Sequence, residues 1–181
     1  MGSLSAARQG PAITPSALVR ELPALERHVL RGDPQALAAA AAALGLPAPE
    51  PLRAATHAEQ ALLWLGPDEW LLLRPADSTA ATGALLAQAL RAHAHSCVEV
   101  SHRQIALAVS GRLATTVLNA GCPLDLHLEA FPLGMCTRTV LGKAEIVLWR
   151  LAPERFHLEV ARSFVSYVSG LLATVAREYL G

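Results

Sequence analysis

Apolar residues in this chain come in short blocks, and each block is closed by a glycine, a proline or a small polar turn before it can become a long helix. That punctuation limits the fold to short helices and strands packed in layers. The longest apolar stretch, residues 36–49, is mostly alanine and is broken by Gly45 and Pro47, so it cannot cross a bilayer as a helix. Within the blocks the period alternates. Some repeat apolar residues every three or four positions, as helices do, and others every second position or continuously, as strands do.

Asp33-Pro34 opens the clearest helix. The Asp33 carboxylate is placed to accept from backbone N–H groups, Pro34 suits the first helical position, and Gly45 can close the C-terminus. Pro47, Pro49 and Pro51 then form a stiff connector. Residues 60–65 (QALLWL) and 70–74 (WLLLR), joined by the turn residues GPDE, read as a hairpin whose near-continuous apolar strands require cover on both faces. A helix is expected over residues 78–92, with Asp77 or Ser78 as its cap. A strand pair follows at 97–100 and 105–109, then a short helix over 111–120. Three strands are expected at 136–141, 145–150 and 156–160. A final helix from Ser163 carries Phe164, Val165, Val168, Leu171, Leu172, Val175 and Tyr179 as its apolar stripe. This succession predicts an α+β fold of two small plait-like subdomains, with mainly antiparallel sheets covered by helices. The expected division is a flexible N-terminal segment at 1–26, a first subdomain at 27–95 and a second at 96–181.

Composition excludes several functional classes. With 52% hydrophobic and 17% charged residues in 181, the bulk of the chain has the means to bury a core. Lys plus Arg and Asp plus Glu both total 15, with no basic cluster, so neither nucleic acid nor a membrane surface is an expected partner. The N-terminus lacks the apolar run of a secretory signal. Cys97, Cys122 and Cys136 are odd in number and form no CxxC, which fits a reducing cytoplasm better than a disulfide framework or a zinc site.

Few residues recommend themselves for chemistry. His93, His95 and Cys97 bring three potential metal ligands within five residues, but no fourth lies nearby, and a histidine at a helix C-terminus is explained by the helix dipole. No metal is therefore expected. Cys122 has no histidine partner motif and reads as a core residue rather than a nucleophile. No dinucleotide fingerprint, phosphate-binding loop or nucleophile elbow occurs, and Lys143 is the only lysine. Trp64, Trp70 and Trp149 are either core residues or anchors for a partner. The densest polar cluster, Ser101-His102-Arg103-Gln104, lies between two expected strands, where it is either a ligand contact or a solvated turn.

Residues 98–111 (VEVSHRQIALAVSG), VLNAGCPLDL ending at Leu126, FPLGMCTRTVLGKAEIVLWR at 131–150 and RFHLEVARSFVSYVSGLL from Arg155 together resemble the gamma subunits of bacterial heterotetrameric sarcosine oxidases. LWLGPDEWLLL at 63–73 is similar to the same family, and the likeness spans about residues 27–179. That family in turn resembles the tetrahydrofolate-binding fold of the glycine-cleavage aminomethyltransferases, the dimethylglycine dehydrogenases and the N-terminal domain of a tRNA-modifying GTPase. In the aminomethyltransferases an Asp-hydrophobic-Ser-His run precedes a strand ending Val-Ser-Gly. Here Glu99, Val100, Ser101 and His102, then Val109, Ser110 and Gly111, stand in those places. Where that family has paired aspartates before an apolar strand, this chain has Ala144 and Glu145.

The resemblance implies a subunit of an enzyme that demethylates sarcosine oxidatively with O2 and tetrahydrofolate, giving glycine, hydrogen peroxide and methylenetetrahydrofolate. It implies alpha, beta and delta subunits as partners, alpha foremost. FAD, FMN and NAD are then expected in the alpha and beta subunits and zinc in delta, with no cofactor and no catalytic residue in this chain. Ser101, His102, Arg103, Gln104, Lys143 and Glu145 are the residues expected around a vestigial folate pocket. Two other readings stay open, a stand-alone folate-binding protein and a one-carbon transferase.

Overall fold

The computed structural model describes residues 19–76 and 79–180, with ten strands and four α-helices among them. The described residues fall into two compact units, one comprising residues 24–101 and the other residues 19–23 with 102–180. Each unit holds one antiparallel five-stranded sheet with helices, which is the expected α+β class.

In the first unit, β2 (Leu25–Gly32), β3 (Ala54–His57), β4 (Gln60–Gly66), β5 (Glu69–Pro75) and β6 (His95–Glu99) are ordered β3-β4-β5-β2-β6. The expected hairpin is β4–β5, in register Leu62 to Leu72 and Leu63 to Leu71. All four leucines are 1% exposed or less, so both faces are covered as the continuous apolar run requires. On one face lie α1 (Pro34–Leu44) and α2 (Thr79–Leu90), whose Leu37, Leu44, Leu86 and Leu90 join Leu30, Leu62 and Leu72 in one core. Full burial of each such leucine contributes roughly 1.5–3 kcal/mol. Asp33 caps α1 as expected, its Oδ1 accepting from the Ala36 N–H at 2.8 Å, and Gly45 ends it at φ 66°. The expected cap of α2, Asp77 or Ser78, lies outside the described residues.

In the second unit, β1 (Val19–Glu21), β7 (Gln104–Ser110), β8 (Cys136–Leu141), β9 (Ala144–Ala152) and β10 (Arg155–Ala161) are ordered β1-β7-β10-β9-β8. α3 (Ala114–Asn119) and α4 (Val165–Leu180) complete a core with Leu107, Val109, Leu148, Phe156 and Leu158 on one face of the sheet. At the tight β8–β9 turn Gly142 takes φ 60°, where a side chain is strained, and a Cβ there would collide with the Tyr167 hydroxyl. Arg150 is 2% exposed although charged. Its guanidinium lies 4.5 Å over the Phe156 ring, Nη1 donates to the Pro153 carbonyl at 3.3 Å, and Nη2 donates to the Leu126 carbonyl. Burial pushes this guanidinium below its usual pKa, and the bonds tie the loop through Leu126 to the sheet.

The structure departs from the sequence reading in the pairing of its strands and in its last helix. The strands at 97–100 and 105–109 are not partners: β6 pairs with β2 and β7 with β1 and β10, because non-local ladders outcompete the short hairpin. The first compact unit runs to Ser101. Within the segment expected at 1–26, Val19–Glu21 pairs with residues 107–109, a strand too short to show a period. The buried stripe of α4 is narrower than expected. Val168, Leu172 and Ala176 are fully buried, whereas Phe164, in a 3₁₀ turn before the helix, and Tyr179, in its last turn, are 40% and 53% exposed.

Asp33→Ala is expected to lower unfolding free energy by about 1 kcal/mol through loss of the α1 cap, measured by urea denaturation. Gly142→Ala is expected to cost more, about 1–3 kcal/mol, because strain and collision coincide there.

Candidate functional site

The six residues singled out around the two turns have distinct surroundings. Ser101 ends the first unit. Where the β2–β6 ladder stops, its hydroxyl accepts from the Arg27 N–H at 2.9 Å, its N–H donates to Glu99 Oε1 at 3.1 Å, and its carbonyl accepts from Arg27 Nη1 at 3.4 Å. These bonds satisfy backbone groups that the edge strand no longer reaches.

The other five belong to the second unit. The His102 carbonyl accepts from Arg162 Nε at 3.1 Å and the Arg103 carbonyl from the Arg162 N–H at 3.0 Å, so the turn is held through its main chain. Gln104 opens β7, and its buried Oε1 has no hydrogen-bond partner. The Lys143 N–H donates to the Tyr167 hydroxyl at 3.1 Å. The Glu145 carboxylate is 73% exposed and lies 3.5 Å from Arg138 Nε, while neighbouring Ala144 is fully buried in the apolar core. Alternation along β7 and β9 puts Gln104 and Glu145 on one face of the sheet, opposite that core.

That face also holds polar residues the sequence reading passed over. His157 and Glu159 on β10 are both fully buried, with Nε2 and Oε1 2.7 Å apart, and the His157 ring packs at a tilt of 56°, 5.8 Å between centroids, against Trp149, its partner in register on β9. His157 Nδ1 and Trp149 Nε1 are buried without a hydrogen-bond partner. A second pair of the same kind occurs in the first unit, where His28 Nε2 lies 2.8 Å from Glu26 Oε1 on β2 and both residues are buried. A signal for each was available in the sequence: a histidine and a glutamate two apart in an apolar strand must share a face, and two buried polar groups there must satisfy each other.

His93, His95 and Cys97 do not form a metal centre. His95 Nδ1 contacts the His93 carbonyl at 2.9 Å, and no group of three metal-ligating side chains is found among the described residues. Cys122 and Cys136 are buried, and none of the three cysteines is in a disulfide. Trp70 and Trp149 are core residues, at 2% and 4% exposure. No helix among the described residues is long and apolar enough to cross a membrane.

Comparison with known proteins was consistent with this architecture. Residues 30–178 match the family described as "Sarcosine oxidase, gamma subunit family". A sarcosine oxidase subunit gamma from Arthrobacter sp. is 37% identical over 123 residues, covering 67% of this chain and 60% of that protein. The protein of the same name from Corynebacterium sp. (strain P-1) is 31% identical over 141 residues, covering 78% of this chain and 68% of the relative. The match thus spans less than two thirds of the Arthrobacter protein. Among solved structures, a chain of the heterotetrameric sarcosine oxidase from Corynebacterium sp. U-96, in complex with pyrrole 2-carboxylate, superposes with a TM-score of 0.83 at 29% identity, over 90% of this chain and 85% of that one. The glycine cleavage system aminomethyltransferase T from Bartonella henselae superposes at 0.64 with 13% identity, over 85% of this chain and 44% of that one. The second likeness is one of fold.

Burial separates the two glutamates of the second sheet. Glu145→Ala is expected to change stability by less than about 1 kcal/mol, as exposed pairs do, whereas Glu159→Ala should cost about 2–4 kcal/mol by leaving His157 without its partner, both read from denaturation midpoints.

Proposed function

Because this chain belongs to the sarcosine oxidase gamma subunit family, we propose that it is a structural subunit of an assembly that oxidatively demethylates sarcosine, without catalytic residues of its own. The observation that carries the reading is the superposition at 0.83 on a chain of a heterotetrameric sarcosine oxidase over nine tenths of the present chain. In this reading the partners are alpha, beta and delta subunits, with alpha the main contact, and the compartment is the cytoplasm. The reaction consumes O2 and tetrahydrofolate and yields glycine, hydrogen peroxide and methylenetetrahydrofolate.

FAD, FMN, NAD and zinc then belong to the other subunits. Tetrahydrofolate has to be weighed against this chain's own residues, since the aminomethyltransferase-like fold invites it. They do not fit. Position 144 turns a methyl group into the core instead of a carboxylate toward a ligand, and Glu145 is engaged by Arg138 at the surface. A carboxylate that must meet a ligand nitrogen tolerates little displacement. We therefore read Ser101, His102, Arg103, Gln104, Lys143 and Glu145 as the remnant of a folate site, now serving the two turns, which favours the subunit over a free-standing one-carbon transferase or folate carrier.

A tagged chain recovered from its native host is expected to bring down three other chains in stoichiometric amounts, with a flavin absorption spectrum. Recovery of a colourless chain alone that binds tetrahydrofolate by titration calorimetry would overturn the proposal.

A further inference from the structure

The buried pair on β2 belongs to a longer hydrogen-bonded chain that ends at a thiol. Arg74 Nη1 donates to Thr82 Oγ1, and the Thr82 hydroxyl donates in turn to Glu26 Oε2 at 3.0 Å. Glu26 Oε1 lies 2.8 Å from His28 Nε2, and His28 Nδ1 lies 3.8 Å from Cys97 Sγ. Thr82 receives the Arg74 hydrogen and so gives its own to Glu26 Oε2. In the tautomer that donates from Nε2 to Glu26, His28 turns the Nδ1 lone pair toward Cys97.

Glu26 and Thr82 are fully buried and His28 is 4% exposed, whereas Cys97 is only half-buried. Cys97 lies on β6, the edge strand of its sheet, where the adjacent Val98 is 52% exposed. The one cysteine thiol among the described residues that is not buried is thus the one that faces a base, since Cys122 and Cys136 are buried. Nucleophile, base and orienting carboxylate stand in the order that thiol activation needs. Nearby, Glu99 stands opposite His28 in register and accepts from the Ser101 N–H.

We propose that Cys97 is a reversible thiol-modification site, at which His28 acts as the base, Glu26 positions His28, and the reactant is a small, uncharged or weakly charged disulfide. Cys97 Sγ attacks one sulfur of the disulfide, forming a new S–S bond while the old one breaks. Its proton passes to His28 Nδ1 and then to the departing thiolate, which leaves as a thiol. Cys97 is oxidised, the departing sulfur is reduced, and excess small thiol reverses the exchange. Burial raises the Cys97 thiol above its ordinary pKa, so the resting group keeps its proton and depends on the base for removal.

The test uses the full chain with bis(hydroxyethyl) disulfide, following the single mixed disulfide by intact mass. The adduct is expected on Cys97, to be absent in Cys97→Ser, and to form at least about tenfold more slowly at neutral pH in His28→Gln. The wild-type rate at neutral pH should exceed what ionisation of the thiol alone supplies, whereas in His28→Gln it should climb with that ionisation alone. Glu26→Gln, nearly isosteric, should give an intermediate rate, and with the wild-type pH profile it tests the relay even where His28→Gln does not fold. Failure of the native chain to react at Cys97, a wild-type rate that simply tracks thiol ionisation, or equal rates in the wild type and the folded variants would each overturn the proposal.

Discussion

The central strands of both sheets are buried on two faces, and most of the chain's buried polar pairing follows from that. A sheet with one wet face can leave polar side chains to the solvent, but here β2, β5, β9 and β10 have buried residues pointing both ways. A polar group on such a strand has to find its partner within the protein. The nearest same-face neighbour is two residues along, which explains why Glu26 with His28 and His157 with Glu159 recur as adjacent pairs at 2.8 and 2.7 Å. Arg150 meets the same constraint differently, through two carbonyls and an aromatic face, and so anchors the loop of residues 121–135 without a carboxylate.

The same constraint bears on function. At the start of β9 the strand offers Ala144 to the core and Glu145 to solvent and Arg138. The turn residues Ser101, His102 and Arg103 spend their main-chain groups, and in Ser101 the hydroxyl, on closing strand ends. The main-chain groups of these turns are bonded within the chain, whereas Gln104 Oε1, Trp149 Nε1 and His157 Nδ1 are buried without a hydrogen-bond partner. In the relay from Arg74 to Cys97, one buried pair opens onto a reachable atom.

Local signals in the sequence located most elements. Asp33-Pro34 and Gly45 bounded α1, and GPDE between two apolar runs placed the β4–β5 hairpin, because caps and tight turns are decided by residues close in sequence. Pairing was less legible. Whether β6 joined β7 or β2 depended on partners about seventy residues away, and β1 was too short to show a period. At the candidate site the main-chain bonds of His102, Arg103 and Lys143 reach Arg162 and Tyr167, distant partners that no local signal marks. The buried histidines escaped notice because each looked like an isolated polar interruption, although the two-residue spacing to a glutamate carried the information.

The central claim is that this chain supports an oxidase by assembly and not by chemistry. Its most direct test is sarcosine-dependent hydrogen peroxide production per assembled complex, measured with wild-type chain and with Glu145→Gln and Arg103→Ala in its place. Turnover per complex should stay within about twofold in both variants, since a side chain that takes no part in the transition state leaves its barrier unchanged. A complex of normal mass and flavin content whose turnover falls tenfold or more in Glu145→Gln would contradict the claim and return this chain to the catalytic machinery.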